Sequence, residues 1–393
     1  MDKIFIVSPY AHHAGHHWSI AKDLGAALAE TGAVVEILLT GNPVEPIALE
    51  KLPCRVTLCA PGIAGARPGV FSRFIQRLSL GKRHNLEMLA CVFKLLRMRT
   101  PVVHFIDATH LVLFLFVLFS GKRVFYTVWG TPDFTAPGKS FVSRAKISLT
   151  RWLLARAIRT DRFEMICETE AVRDAWHPFC GAHIHVIPYA IHLPAQRPDR
   201  LEARRQLELP VPPLILLMFG THRAEKDYRV VFEAAKILPP GSVFLLFVGR
   251  VISGNNPLLL ARQHPDVPSK IISDYVTDEE ASLFFAACDA VVLPYETGFT
   301  WGSGVLLLAC QHERPVIATK TGHLQQFVEK YRTGFLFAPG EPTDFAVAVK
   351  RIGTMSALER ETLATHIRAA AKDFFWGSIV MNYLKLYRAY GLR

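Results

Sequence analysis

Residues 290–319 read A-V-V-L-P-Y-E-T-G-F-T-W-G-S-G-V-L-L-L-A-C-Q-H-E-R-P-V-I-A-T. Ala290–Leu293 is a short apolar run stopped by Pro294, the pattern of a buried parallel strand. Tyr295–Gly302 is rich in turn residues. Ser303 stands where a helix N-cap belongs, with Gly304 in the first turn and Val305–Cys310 apolar behind it. Pro315–Thr319 is a second buried strand. A small-residue loop feeding a helix N-terminus at the carboxyl end of a parallel strand offers backbone N–H groups to an anion, and ligands of open α/β sheets sit at that edge. Read alone, the stretch fits an ordinary βαβ unit with nothing bound equally well.

The same pattern extends in both directions. Lys3–Ser8, Val34–Leu39, Val102–Ile106, Arg123–Thr127, Met165–Cys167 and His185–Pro188 read as strands of a first doubly wound domain over 1–190. The segment 191–213 carries Pro194, Pro198, Pro210, Pro212 and Pro213 around a short charged helix, the composition of a linker. Leu214–Phe219, Val243–Val248, Ile271–Ser273, the 290–319 stretch and Gly334–Phe337 then make a second doubly wound domain over 214–372, followed by a terminal helix over 373–393. Thr277 and Glu280 have capping-box spacing.

At 393 residues, two domains are the expectation. The formal charge of +11 and the pI of about 9.4 point to acidic partners. Seven cysteines without C-x-x-C pairs read as reduced thiols of a cytosolic chain. The start runs straight into a strand without a signal-peptide core, and the most apolar window, Pro101–Phe119, is broken by His104, Asp107 and His110. Two regions concentrate basic residues beside aromatics: Arg67–Arg99 has eight against Glu87 alone, and Lys139–Arg162 has seven against Asp161 alone. In the first, Phe71, Phe74, Ile75 and Leu78 follow helical spacing. Solvated helix faces would explain both; attachment to an anionic membrane surface explains them together with the aromatics. No nucleic-acid motif is present, so nucleic acid is not expected as a partner.

The candidate site residues follow from these positions. The first turn, Tyr10–Trp18, holds Gly15, His16 and His17 in a polar, substrate-facing loop, without the spaced ligands a metal needs; Asp107 and Trp129 end neighbouring strands and are expected to face the same crevice, which the resemblance given below implies is the acceptor side. In the second domain, Arg223 and Lys226 sit in the loop after the first strand. With Ser303 and Gly304 they form an expected diphosphate clamp. Solvated surface charges are the plain alternative.

F-G-T-H-R-A-E-K at 219–226 resembles the F-G-x-x-R-x-x-K segment of glycosyltransferase family 4, the group 1 glycosyltransferases of GT-B fold. I-P-Y-A-I, C-D-A-V-V-L-P-Y-E, S-G-V-L-L-L-A-C, P-V-I-A-T-K-T-G and the terminal F-F-W-G-S-I-V-M-N-Y-L-K-L-Y are similar to further segments of that family in order. The resemblance implies two Rossmann-like domains facing a central cleft, with the terminal helix crossing back to the first. It implies a retaining, metal-independent transfer of sugar from a nucleotide-diphosphate donor, with no cofactor. Gly220, Tyr275 and Thr297 would lie along the nucleotide and sugar, and Arg223, Lys226 and Glu296 at the reaction. The chain departs from the family at Thr300 and Leu308, where a carboxylate pair is usual, and at Trp129, where a histidine is usual; Glu296 could stand in for the first carboxylate. The expected acceptor is lipid-linked or membrane-proximal, as in surface polysaccharide or glycoconjugate assembly. The expected location is cytoplasmic, peripheral on the inner face of the membrane. A catalytically weak GT-B scaffold and a GT-B sugar-nucleotide epimerase are the alternatives.

Overall fold

The computed structural model describes residues 3–9, 17–40, 51–59, 83–98, 102–132, 141–193, 197–252, 254–274, 276–299 and 302–392. The chain forms two compact units, residues 1–188 with 376–393, and residues 189–375.

The first unit is built on β1 (Lys3–Ser8), β2 (Val34–Leu39), β3 (Arg55–Leu58), β4 (Val102–Phe105), β5 (Arg123–Thr127), β6 (Phe163–Cys167) and β7 (Ile184–Val186). These strands run parallel in the order β3-β2-β1-β4-β5-β6-β7. Central strands such as β4 and β6 are buried on both faces, and the polar side chains within them, His104 and Glu164, are buried with hydrogen-bond partners. The helices are α1 (His17–Glu30), α2 (Arg83–Leu96), α3 (His110–Ser120), α4 (Phe141–Ile158) and α5 (Glu170–Cys180). Buried residues of α2 to α5 share one core with β4, β5 and β6, around Phe105, Phe114, Phe163 and Trp176.

The second unit starts earlier than its first strand. Residues 191–213 read as a linker, yet α6 (Arg200–Gln206) is fixed to this unit. Arg204 is buried, donates to the Ala287 carbonyl and pairs with Asp289, whose carboxylate also accepts from Arg200 and from the Ile215 amide. Proline content marks the segment as irregular but does not show what its short helix packs on.

After α6 come β8 (Leu214–Phe219), α7 (Tyr228–Ile237), β9 (Val243–Val248), α8 (Pro257–Gln263), β10 (Ser269–Ile272), α9 (Asp278–Ala287), β11 (Ala290–Leu293), α10 (Gly304–Gln311), β12 (Val316–Thr319), α11 (Gly322–Tyr331), β13 (Gly334–Phe337), α12 (Pro342–Thr354) and α13 (Ala357–Asp373). The sheet order is β10-β9-β8-β11-β12-β13, again parallel throughout. The expected capping box at Thr277 and Glu280 opens α9. The terminal helix α14 (Trp376–Ala389) belongs to the first unit. Its Tyr387 hydroxyl bonds His104 Nδ1 at 2.6 Å, while Thr127 Oγ1 holds the other ring nitrogen at 2.8 Å. Burial pushes the His104 pKa down to about 3, so the ring is a neutral structural bridge. The seven cysteines form no disulfide; six are buried and Cys59 is half-buried. Among the described residues no helix is long and apolar enough to cross a membrane.

In both sheets the order reverses at the strand that comes first in the chain. In the second unit β8 and β11 are neighbours, while β8 leads outward to β9 and β11 to β12. Their carboxyl ends therefore diverge into a crevice, the place where such sheets bind ligands. The loops there pack closely. Gly249, after β9, has φ +139°, and a Cβ on it would stand 2.3 Å from the Gly220 carbonyl oxygen. Gly249→Ala should therefore destabilise the second unit by about 2 kcal/mol or more, read as a lower urea midpoint. A midpoint equal to that of the parent chain would show that the loops are not in contact.

Candidate nucleotide-diphosphate site

The loop after β8 and the loop after β11 are stitched together by backbone bonds. Lys226 and Tyr295 form an antiparallel bridge, the Glu296 amide donates to the Glu225 carbonyl at 2.8 Å, and the Asp227 amide to the Pro294 carbonyl at 2.6 Å. Asn255 Nδ2 closes the outer side by donating to the Lys226 carbonyl at 2.8 Å. The third wall is the first turn of α10: a Cβ on Gly220 would lie 3.3 Å from Val305 Cγ2, and Gly220 itself has φ +78°. The structure thus brings Arg223, Lys226, Ser303 and Gly304, the donor-phosphate positions read from sequence, to one sheet edge together with Gly220, read as a nucleotide or sugar position.

Lys226 is only 4% exposed, and its Nζ donates to the Phe219 carbonyl at 2.9 Å. Burial, then the nearby Arg223 guanidinium, push its pKa down to about 7, with Glu225 opposing. The sequence reading took both residues as fixed cations; burial instead makes the lysine's charge conditional. Arg223 is half-buried, and its Nε is buried with no hydrogen-bond partner. Among the described residues no carboxylate pairs with either side chain. An arginine and a lysine that an arriving anion would keep protonated, held together in a low-dielectric crevice, are a site prepared for that anion.

Ser303 occupies the N-cap of α10 as expected, but its hydroxyl does not cap the helix. It faces the Tyr295 hydroxyl at 3.3 Å. The Ser303 hydroxyl therefore takes none of the first-turn N–H groups of α10; of these the Leu306 amide donates to the Ser303 carbonyl at 3.0 Å, and the positive end of the helix has no side-chain cap. Tyr295 was not singled out in the sequence. It is buried, stacked on Phe299 at 3.8 Å between ring centroids, and its amide donates to Thr319 Oγ1. Burial raises its pKa, so the hydroxyl stays protonated. The position directly after Pro294 at a strand end was the available signal. His222 was missed as well. It is fully buried, with Nδ1 2.5 Å from the Tyr228 hydroxyl, and burial brings its pKa to about 3. It anchors the cationic loop from beneath as a neutral ring.

Glu296 and Thr297 are exposed at the rim, and Tyr275 and Thr300 lie outside the described residues. Leu308 is on α10, packed against the core of the unit, where it can offer no hydrogen bond to a ribose.

The acceptor-side positions belong to the first unit. Gly15 and His16 lie outside the described residues, and His17 begins α1. Asp107 and Trp129 do end adjacent strands: an Asp107 carboxylate oxygen accepts from the Ala108 amide at 2.7 Å, and Trp129 Nε1 donates to the Ile106 carbonyl at 2.8 Å. His110 joins them unforeseen, its Nε2 3.2 Å from the Tyr126 hydroxyl and its ring stacked on Phe114. Burial, then Lys146, bring its pKa to about 4. Among the described residues no three His, Cys, Asp or Glu side chains gather in a form that could hold a metal ion.

Two parallel doubly wound sheets and a terminal helix that returns to the first unit are the arrangement of a GT-B fold. Residues 213–354, within the second unit, match the family described as Glycosyl transferases group 1. The chain is 28% identical over 203 residues to the glycogen synthase of Thermus thermophilus, covering 51% of this chain and 44% of that one. It thus spans less than half the length of that relative. Among solved structures, a sucrose-phosphate synthase from Thermosynechococcus elongatus superposes with a TM-score of 0.71 at 20% identity, covering 99% of each chain. HepE of Anabaena, in complex with UDP and glucose, superposes with a TM-score of 0.70 at 16% identity, covering 99% of this chain and 100% of that one.

The lysine makes stability and ligand binding depend on pH in a defined sense. Its pKa is about 7 in the fold and near 10.5 unfolded, so the unfolded chain binds more protons between those values and stability rises with pH across that window. Lys226→Met should stabilise the ligand-free chain at neutral pH by a few kcal/mol, and the gain should vanish near pH 10.5. A bound diphosphate favours the ammonium, so affinity should fall as pH rises above about 7. Calorimetric titration across that range, with parallel denaturation curves, checks both; a pH-independent affinity would mean the lysine does not meet the anion.

Proposed function

We propose that this chain is a retaining, metal-independent glycosyltransferase. The second unit would hold a nucleotide-diphosphate sugar, and the first a lipid-linked or membrane-proximal acceptor of surface polysaccharide or glycoconjugate synthesis. The observation that carries the donor reading is Lys226, a buried ammonium without a carboxylate, beside Arg223 and the uncapped N-terminus of α10. The likeness to HepE, solved with UDP and glucose, supports a nucleoside diphosphate as the anion.

The chemistry follows from charge. As the bond between the anomeric carbon and the diphosphate oxygen breaks, negative charge builds on that oxygen. Arg223, Lys226 and the α10 amides are fixed where they stabilise it, and stabilisation that grows toward the transition state accelerates the step. Fixed cations can thereby serve where a divalent ion would otherwise bridge the phosphates. Retention is the outcome that the family resemblance implies. Gly220 lets the backbone approach the donor, and Glu296 and Thr297 stand at the rim where the sugar would extend. The acceptor positions are those at the β4 and β5 edge, with His110 added. The basic surface of the first unit fits a peripheral position on an anionic inner membrane face.

A second reading is a binding or scaffold protein of the same pathway with weak turnover. Leu308 favours it, because the apolar side chain on α10 removes one polar grip on the nucleotide.

Arg223→Ala and Lys226→Ala should each weaken nucleoside diphosphate binding by about 1.5–3 kcal/mol, roughly ten- to a hundredfold, and leave nucleoside binding nearly unchanged. Equal loss for both ligands would remove the phosphate role. Turnover of a nucleotide sugar should persist in excess chelator; activity lost there and restored by Mg²⁺ or Mn²⁺ would overturn the metal-independent reading.

A further inference from the structure

The helical layer of the first unit has an outer face that its sequence does not explain as core. α3 reads H-L-V-L-F-L-F-V-L-F-S, which looks like a helix buried on every side. Its inner residues Leu113, Phe114, Phe116 and Val117 are buried against the sheet. Leu115 and Phe119, one turn apart on the other side, are exposed, Phe119 to 81%. The flanking helices repeat this. Phe93 and Leu96 of α2 and Leu149 and Trp152 of α4 are exposed as well, Trp152 to 57%. α2 and α4 both pack beside α3 over the same core, so these six side chains share the outer surface of one layer. Exposed apolar side chains gathered in this way mark a surface that meets something other than water.

The charges around them say what. α3 and α4 contain no Asp or Glu. Arg144, Lys146, Arg151, Arg156 and Arg159 are all on or just after α4 and are exposed or nearly so, and Arg97 is exposed after α2. The Arg156 guanidinium lies 5.8 Å from the Trp152 ring, keeping cation and aromatic together at one level. Lys122 is spent on the Met98 carbonyl and is not counted. The acids nearest in sequence are Glu87 in α2, Asp161, which is exposed just after α4, and, on α5, Glu170 and Asp174, which both lie within reach of Arg173. Aromatic and aliphatic tips beside arginines that meet no carboxylate among the described residues are complementary to a bilayer interface, where rings sit at headgroup depth and guanidiniums reach phosphates. A soluble protein partner would more often meet an apolar centre with charges of both signs at its rim.

The geometry points to the outer face of α2, α3 and α4 as the surface by which this protein docks on an anionic lipid bilayer. This deepens the peripheral-membrane reading by naming the surface, and it does not depend on the donor site. The basic residues attract the anionic leaflet over about one Debye length, and each contributes about fivefold in binding. Phe119 and Trp152 then insert.

Co-sedimentation with vesicles tests it. The full chain should bind vesicles containing phosphatidylglycerol, bind phosphatidylcholine vesicles far less, and lose binding as salt rises. Arg151→Glu with Arg156→Glu should lower partition at least about tenfold. Phe119→Ser with Trp152→Ser should lower it at low salt, where the charges are intact. Both pairs should keep UDP binding, which also shows that they fold. Trp152→Phe, a milder change, should remove most of the quenching of protein fluorescence by bromine-labelled lipid. Unchanged partition in both folded double variants would overturn the proposal. So would equal binding to neutral vesicles, quenching unaffected by Trp152→Phe, or a dimer that Phe119→Ser with Trp152→Ser dissolves. Failure of the parent chain to bind UDP would sink the donor reading and leave this one standing.

Discussion

Everything at the second switch point is arranged around an ammonium that has been taken out of water. Desolvating a lysine is unfavourable, and among the described residues the compensation is small: the Phe219 carbonyl and the charge of Glu225. The loop cannot relax to free the side chain, because its backbone is bonded to the loop after β11 and its underside rests on the His222–Tyr228 pair. The sheet thus holds the lysine in a position that is unfavourable until an anion arrives. This is the usual relation between binding sites and stability: strain or desolvation is borne by a well-packed scaffold and relieved by ligand.

The scaffold was legible because its strands are buried on both faces. Ala290–Leu293, Leu214–Phe219 and Val243–Val248 have the expected bounds, since a fully buried parallel strand leaves an apolar run with polar or turn residues at both ends. β3 was not foreseen, because an edge strand of four residues, R-V-T-L, has neither a long run nor a clear alternation. The linker reading failed at α6 for a different reason. What fixes α6 is a buried arginine meeting Asp289, some eighty-five positions away in sequence.

The site shows the same division. Arg223 and Lys226 could be placed at a strand's carboxyl end from local sequence alone. Their environment could not be. Whether a lysine is a solvated charge or a buried one with a pKa near 7 depends on what covers it, and that cover comes from β11, α10 and Asn255. Ser303 is the sharper case. Its type and position both indicate a helix cap, yet its hydroxyl turns to Tyr295, a contact between two segments of one loop that no propensity encodes. The all-apolar α3 misleads in the opposite direction, since composition cannot distinguish a helix covered on every side from one whose outer stripe stays open.

The return of α14 to the first unit also sets the order in which the chain can mature as it is made. The second unit is continuous, and all of its strands and helices are available once residue 375 has been synthesised. The first unit is made earlier and finished later. Until residues 376–392 emerge, His104 lacks Tyr387, and the Phe125 ring lacks the aromatic neighbour that packs 4.7 Å away. A nascent chain therefore carries an incomplete first unit throughout synthesis of the second, with a buried-to-be histidine and phenylalanine open to water. Domains usually fold in order of emergence. Here the connectivity reverses that order, and the earlier unit depends on its own distant C-terminal helix for closure.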